Sequence, residues 1–291
     1  MNSVKKFADY KEEGHNWITL STGEYYPDIL TDACLLYEPV LQLFGQLLKV
    51  SESSTRLFLQ ISEVSEPWMR IQLCRAFRKY VSPETPVEML KKKSAAKQIN
   101  ERFGKGYRPI NEVQSSFISR PMPDEALCAL LWEYKSRGSK GYDLTERFFE
   151  MIMSYFPELR ITGPQRAGQD IKLSNVFKDY PNPQRPVDFI IYDTDEVTPL
   201  AIGLARYDGD RGGAQEDDRT GGYHNAAREI LNYASETEKN LKVIFVNDGP
   251  GLLLGSMWRD YSTLEESVPE KIMVTTLRMI PDRLTYEWLT S

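Results

Sequence analysis

Apolar residues recur at three- and four-residue intervals through 27–50, where Leu30, Leu35, Leu36, Val40, Leu41, Leu43, Phe44 and Leu47 make one stripe. The same spacing appears over 67–80 (Trp68, Ile71, Leu73, Cys74, Phe77) and over 124–136 (Ala126, Leu127, Leu130, Leu131, Tyr134). Each stretch predicts an amphipathic helix. Ser82-Pro83 and Thr85-Pro86 interrupt the pattern, and a further helix is expected at about 86–102, ending before Gly104. Residues 1–140 therefore read as a mostly helical region, without internal repeats.

Past Gly141 the periodicity alternates between helical and extended. Asp143-Leu144-Thr145-Glu146 resembles a cap before a helix carrying Phe148, Phe149, Ile152, Met153 and Phe156. A glycine-punctuated stretch at 162–168 leads to a short helix or strand through Ile171, Leu173 and Phe177. Arg185-Pro186-Val187-Asp188 then opens the apolar run Phe189-Ile190-Ile191-Tyr192, a turn falls at 193–196, and a second strand is expected from Thr198 to Arg206. Alternation along that strand puts Leu200, Ile202, Leu204 and Arg206 on one face. A polar loop is expected at 207–222 and a helix from Tyr223 to Thr237. A buried strand at 241–246 ends at Asn247-Asp248-Gly249-Pro250-Gly251, and a strand at Val274–Leu277 and a helix at 281–289 close the chain. The succession predicts an α/β (α+β) fold over 141–291, a mixed central sheet flanked by helices.

Composition narrows the class. Of the 291 residues, 41% are apolar and 27% charged, which suits a folded core in water. No run of about 18 apolar residues occurs, and Met1-Asn2-Ser3-Val4-Lys5-Lys6 lacks a hydrophobic signal region. A cytoplasmic protein without membrane attachment is expected. Cys34, Cys74 and Cys128 are odd in number and widely spaced, which suits buried thiols in a reducing compartment. The net charge of −6 is unevenly spread: residues 1–140 hold 20 basic against 17 acidic side chains, the remainder 16 against 25. Between 70 and 108 lie 11 basic residues and three acids, with Phe103 and Tyr107 among the cations. Lys91, Lys92, Lys93, Lys97, Lys105 and Arg108 from this stretch are candidate contacts to a phosphate backbone, or else a solvated face.

The hairpin carries the chemistry. Asp188 stands at its start and Arg206 eighteen residues later, returned by the turn to the same end of the sheet. A carboxylate and a cation so placed can hold a divalent metal beside a polarised phosphate. In the polar stretch that follows, Arg211, Gln215, Arg219, Asn225 and Arg228 have the side chains that read guanine and adenine edges, although a surface loop would have the same composition. With only His15 and His224, no histidine-based metal site can be assembled, and no Gly-Lys-Ser/Thr loop suggests a nucleotide cofactor.

Pro186-Val187-Asp188, Ala205-Arg206, the Arg166-Ala167-Gly168 turn and the strand ending in Asn247-Asp248-Gly249-Pro250-Gly251 together resemble the PD-(D/E)xK signature of type II restriction endonucleases, over about 143–291. The resemblance implies a restriction-endonuclease-like core in 141–291, with 1–140 serving DNA binding or dimerisation. It further implies Mg²⁺-dependent, sequence-specific cleavage of double-stranded DNA by a homodimer within a restriction-modification system. The family pattern places Glu or Asp two residues before a Lys, and this chain has Leu204 and Arg206. Arginine keeps the charge but does not readily release a proton, so it suits charge stabilisation. Some relatives take the missing acid from the helix after the second strand, which points to Glu229 first and Glu216 second. Glu146 and Glu150 are candidate outer ligands. The alternative is a DNA-binding or recognition subunit that keeps the fold without catalysis. A third reading is an acidic interaction protein whose 208–218 acids bind Ca²⁺ structurally.

Overall fold

The computed structural model describes residues 5–20, 25–86, 93–135, 139–164, 170–209 and 215–291, with the backbone alone at 139–142 and 215–220. Contacts divide the chain into two units, one of Gly23–Arg137 and one of Met1–Thr22 with Gly138–Ser291. The N-terminal segment thus belongs with the sheet and not with the helices that follow it. Its anchors are Phe7, Tyr10 and Ile18, whose spacing over 5–20 follows no period, so pattern alone gives them no partner.

The segment carries one turn of helix, α1 (Gly14–Trp17). The helical unit comprises α2 (Ile29–Val50), α3 (Ser54–Glu63), α4 (Pro67–Tyr80), α5 (Ala95–Phe103), α6 (Ile110–Ile118) and α7 (Glu125–Trp132). Tyr37, Leu41, Phe44, Phe58, Phe77 and Leu131 fill its core. Caps fix several starts: Ser53 accepts the Arg56 N–H at 3.1 Å, Glu66 that of Trp68 at 2.9 Å, and Asp124 that of Leu127 at 3.2 Å. Only part of the helix expected over 86–102 falls among the described residues, where it runs from Ala95 to Phe103. α3 and α6 are absent from the sequence reading because each offers about three turns and a stripe of three or four apolar residues. Cys128 lies beside Cys34, and burial, with that neighbouring thiol, pushes the Cys128 thiol up to about 12.

The sheet unit opens with α8 (Ser139–Tyr155), which is already running at Asp143, so the expected cap there is an interior turn. Next come β1 (Arg160–Thr162), β2 (Ile171–Lys172), β3 (Pro186–Val187), β4 (Phe189–Tyr192), β5 (Pro199–Tyr207), α9 (Gln215–Glu236), β6 (Lys242–Asp248), α10 (Met257–Ser267), β7 (Ile272–Thr275), α11 (Ile280–Arg283) and α12 (Tyr286–Thr290). The main sheet has the order β1-β4-β5-β6-β7. Its first three strands are antiparallel, and β5, β6 and β7 are parallel, joined by the crossover helices α9 and α10. Ile190, Ile202, Val243, Phe245 and Val274 face α9 and α10. Ile191, Ala201, Ile244, Val246 and Met273 face α8, α11 and α12. β6 is covered on both faces, which is why its middle, Val243-Ile244-Phe245-Val246, is an unbroken apolar run.

Four expectations need correction. Leu200 does not share a face with Ile202 and Leu204, because a bulge opposite Ile191-Tyr192 inserts one residue and turns Leu200 to the α8 side. α9 begins at Gln215, within the stretch expected to be loop, since its first turns lack an apolar stripe. The final helix is two short ones, divided at Leu284-Thr285, where Thr285 accepts the Trp288 N–H at 3.1 Å. The last strand is Ile272–Thr275, and Leu277 lies in the 3₁₀ turn beyond it.

A buried ion pair joins the late elements to the early segment. The Arg283 Nη2 donates to both Glu265 carboxylate oxygens at 2.7 Å, with the two side chains 3% and 5% exposed. Glu265 also accepts the N–H groups of Phe7 (2.8 Å) and Val274 (2.9 Å), while Arg283 donates to the carbonyls of Val274 and Lys5. Removing one member leaves the other charged, buried and alone, at a cost of about 3–5 kcal/mol. Arg283→Met is expected to lower the unfolding free energy of the sheet unit by that amount, read as an earlier transition in urea. It should also expose 5–20 to limited proteolysis before the sheet core is cut.

Candidate functional site

The bend at Asp188 organises the site. Val187 packs in the core facing α9 and α10 and Phe189 in the opposite core, so the chain rotates at Asp188 as it passes from the small β2–β3 ladder into the main sheet. Gly203 lies opposite Phe189, whose ring occupies the space a Cβ would need. The Asp188 N–H still donates to the Gly203 carbonyl at 2.9 Å. One step further along β5, the Ala205 N–H donates at 2.8 Å to the Asp188 carboxylate. The carboxylate thereby takes the place of a ladder carbonyl.

Burial pushes the Asp188 carboxyl above its usual range; the Ala205 N–H opposes this and the charge of Asp170 adds to it. Asp170 stands next to Asp188 because β2 and β3 pair Ile171 with Val187, and continuing that register brings the two acids opposite each other.

Arg206 directly follows Ala205, near the end of β5. Its Nε donates to Asp208 at 2.9 Å, and the guanidinium side chain is one-third exposed while Asp208 is buried. The other Asp208 carboxylate oxygen accepts the Tyr261 hydroxyl at 3.4 Å. The Asp208 backbone is tied on both sides, its N–H to the Asp248 carbonyl (2.7 Å) and its carbonyl to the Gly251 N–H (2.8 Å). Gly249, at φ 111°, is required there, since any side chain would run into the Asp208 carbonyl. Tyr223, from α9, lies 4.8 Å from the Phe245 ring and 6.0 Å from that of Tyr261. Burial drives the Tyr223 phenol far up, against the pull of Arg206, and the charges of Asp188 and Asp208 push it further. Asp188, Arg206, Asp208 and Tyr223 are thus one electrostatic cluster. Asn247 pairs with Arg206 in strand register and is fully buried, and neither amide atom finds a partner among the described residues.

The other expected site residues are dispersed. Glu229 is paired with Arg185, whose Nε lies 3.1 Å and 3.2 Å from its oxygens, and it also accepts from Asn182. Burial would raise its pKa, but Arg185, Tyr180 and Asn182 hold it below the usual carboxylate range. It secures the 180–185 segment to α9. Glu216, Gln215 and Arg219 fall on α9 with side chains outside the described residues, and Arg211, Lys91 and Lys92 lie outside them altogether. Asn225 and Arg228 bond to each other at 2.6 Å. On the helical unit, Lys97 and Lys105 are exposed, Lys93 donates to the Glu63 carbonyl, and Arg108 pairs with Glu112. Arg70, counted in the basic stretch, is buried and donates to Val64. Glu150 is exposed on α8, which packs on the opposite side of the sheet from α9. Among the described residues no three His, Cys, Asp or Glu side chains come together as a metal-binding group.

Sequence reasoning misses Asp170, Tyr223 and Tyr261, and gives Asp208 only a place among the acids of a structural Ca²⁺ site. Asp170 could be found only through the β2–β3 register, and the tyrosines only through the packing of α9 against α10.

The shift of Asp188 has a stability consequence. A carboxyl whose folded pKa lies above its unfolded value binds more protons when folded, so its contribution is present below the unfolded pKa and is lost as pH rises through the folded one. Asp188→Asn, which keeps an acceptor for Ala205, is expected to raise the melting midpoint at pH 7. The gain should vanish towards pH 3, as followed by calorimetry across that range.

No described helix is long and apolar enough to cross a membrane. Comparison with protein-family models, with curated proteins and with solved structures finds no match for this chain.

Proposed function

We propose that the chain is a metal-dependent endonuclease acting on double-stranded DNA, with a restriction-endonuclease-like core in its sheet unit. The observation that carries this reading is Asp188: a desolvated carboxylate at the hairpin bend, beside a second carboxylate and, among the described residues, without a cationic partner of its own. Asp208 and Glu229, by contrast, each have an arginine. A carboxylate left in that condition gains most from a hard cation.

The residues fit Mg²⁺, which uses one or two carboxylates and leaves its remaining positions to water and phosphate. Asp188 and Asp170 supply such a pair, with Glu216 as a further donor from α9. When bound, the metal neutralises phosphate charge and acidifies a water molecule. Arg206 stabilises the charge on the scissile phosphate, a role that its permanent ionisation suits. Glu229 serves structure and is withdrawn from the metal set. The exposed Lys97 and Lys105 contact backbone phosphates, and the start of α9 reads base edges. The protein acts as a homodimer on a two-fold symmetric site, as part of a restriction-modification system.

Leu204 favours the second reading, a DNA-binding protein without cleavage. It packs against the core facing α9 and α10, where it cannot bind metal. Plasmid and phage DNA incubated with the protein, with and without Mg²⁺, separate the two. Discrete fragments only with Mg²⁺ are expected, abolished by Asp188→Ala and lowered about 10²–10³-fold in rate by Arg206→Ala. Retarded but intact DNA would establish the binding protein instead.

A further inference from the structure

The Arg206 guanidinium is held by an apparatus that the metal site does not require. Asp208 is 2% exposed. One carboxylate oxygen takes the Arg206 Nε–H at 2.9 Å, and the other takes the Tyr261 hydroxyl at 3.4 Å. Both backbone polar groups of Asp208 are committed as well, to Asp248 and Gly251, so the acid cannot follow a moving arginine. Tyr223, on α9, lies within the field of the Arg206 charge, its ring set between Phe245 and Tyr261. An ion pair serving stability alone gains little when one partner stays a third exposed. An arginine held at Nε and still one-third exposed instead keeps N–H groups that can serve as a fork for an incoming oxyanion.

We infer that Asp208, braced by Tyr261 and Tyr223, is a positioning residue that fixes Arg206 as a preorganised fork for a phosphate oxyanion. The inference rests on the nuclease reading, in which that phosphate is the scissile one. Along the chain the order is then cation first and acid second, Arg206-Tyr207-Asp208, with the acid serving the cation and not a metal. Fixing the fork beforehand removes the ordering cost from the step in which charge develops.

Two readouts on the full chain test this. The first is the Arg206 Nε–H resonance in the ¹⁵N spectrum without DNA, which reports the contact independently of cleavage. The second is single-turnover cleavage of plasmid DNA with Mg²⁺, alongside DNA affinity. Asp208→Asn is expected to shift that resonance and to lower the cleavage rate about 10–100-fold, with affinity changed less than about threefold. Asp208→Glu should restore part of the rate. Tyr261→Phe, a milder change that keeps the ring, should give a loss of a few-fold, and it decides the matter if Asp208→Asn does not fold. Wild-type protein that cuts DNA while folded Asp208→Asn cuts equally fast overturns this inference alone. Wild-type protein that leaves DNA intact under Mg²⁺ overturns the nuclease reading and this role with it.

Discussion

The buried pair of Glu265 and Arg283 is the constraint on which the sheet unit depends. Two charges are taken out of water, and their neighbours consume what remains of their hydrogen-bonding capacity: Phe7 and Val274 on the acid, Val274 and Lys5 on the arginine. The pair therefore fixes four elements at once, the N-terminal segment, α10, β7 and α11. The segment so held continues past β7 to the site. Thr276 donates to the Trp17 carbonyl, Thr19 donates to Asp248 at 2.6 Å, and the Tyr207 hydroxyl donates to the Thr19 carbonyl at 3.2 Å. The N-terminal segment thus meets the ends of β5 and β6. A buried ion pair is weak as a source of net stability but strict about geometry, and geometry is what these strand ends need.

Four acids in the sheet unit show how environment assigns a role that sequence alone leaves open. Asp248 is fully buried, and burial lifts its pKa, but the N–H groups of Thr19, Gly249 and Leu277 oppose the shift and make it a joint between loops. Glu229 is drawn to Arg185, three residues before Asp188, and so anchors the approach to the hairpin. Asp208 is spent on Arg206. Asp188 alone is left with a single backbone donor and an unfavourable neighbour. The same carboxylate chemistry yields a loop joint, a segment anchor, an arginine clamp and a candidate metal ligand.

Much of the fold was legible. The stripes of α2 and α4, the hairpin and the unbroken run of β6 follow from period and burial, because each buries a face of fixed repeat. The unreadable parts depend on contacts between distant residues. The bulge that turns Leu200 away arises from the pairing with β4. The N-terminal segment is held by Glu265, more than 250 residues on. At the site, Asp188 and Arg206 were visible because they sit on one hairpin. Asp170 enters through a separate two-stranded ladder, and Tyr261 through a helix on the far side of β6.

Leu204 is the residue around which these facts turn. Along β5 the side chains at 202 and 204 supply apolar cover for α9, and a carboxylate at 204 would have to be desolvated against that core. The bend at Asp188 relieves the strand of that demand. By rotating the chain between β3 and β4, it brings Asp188 against the Ala205 N–H and leaves the neighbouring β2 end to present Asp170. On the proposed nuclease reading, the second carboxylate is Asp170, beside Asp188, and not a residue of the strand opposite. On that reading, leucine at 204 is compatible with a metal site because Asp170 supplies the acid through the β2–β3 pairing.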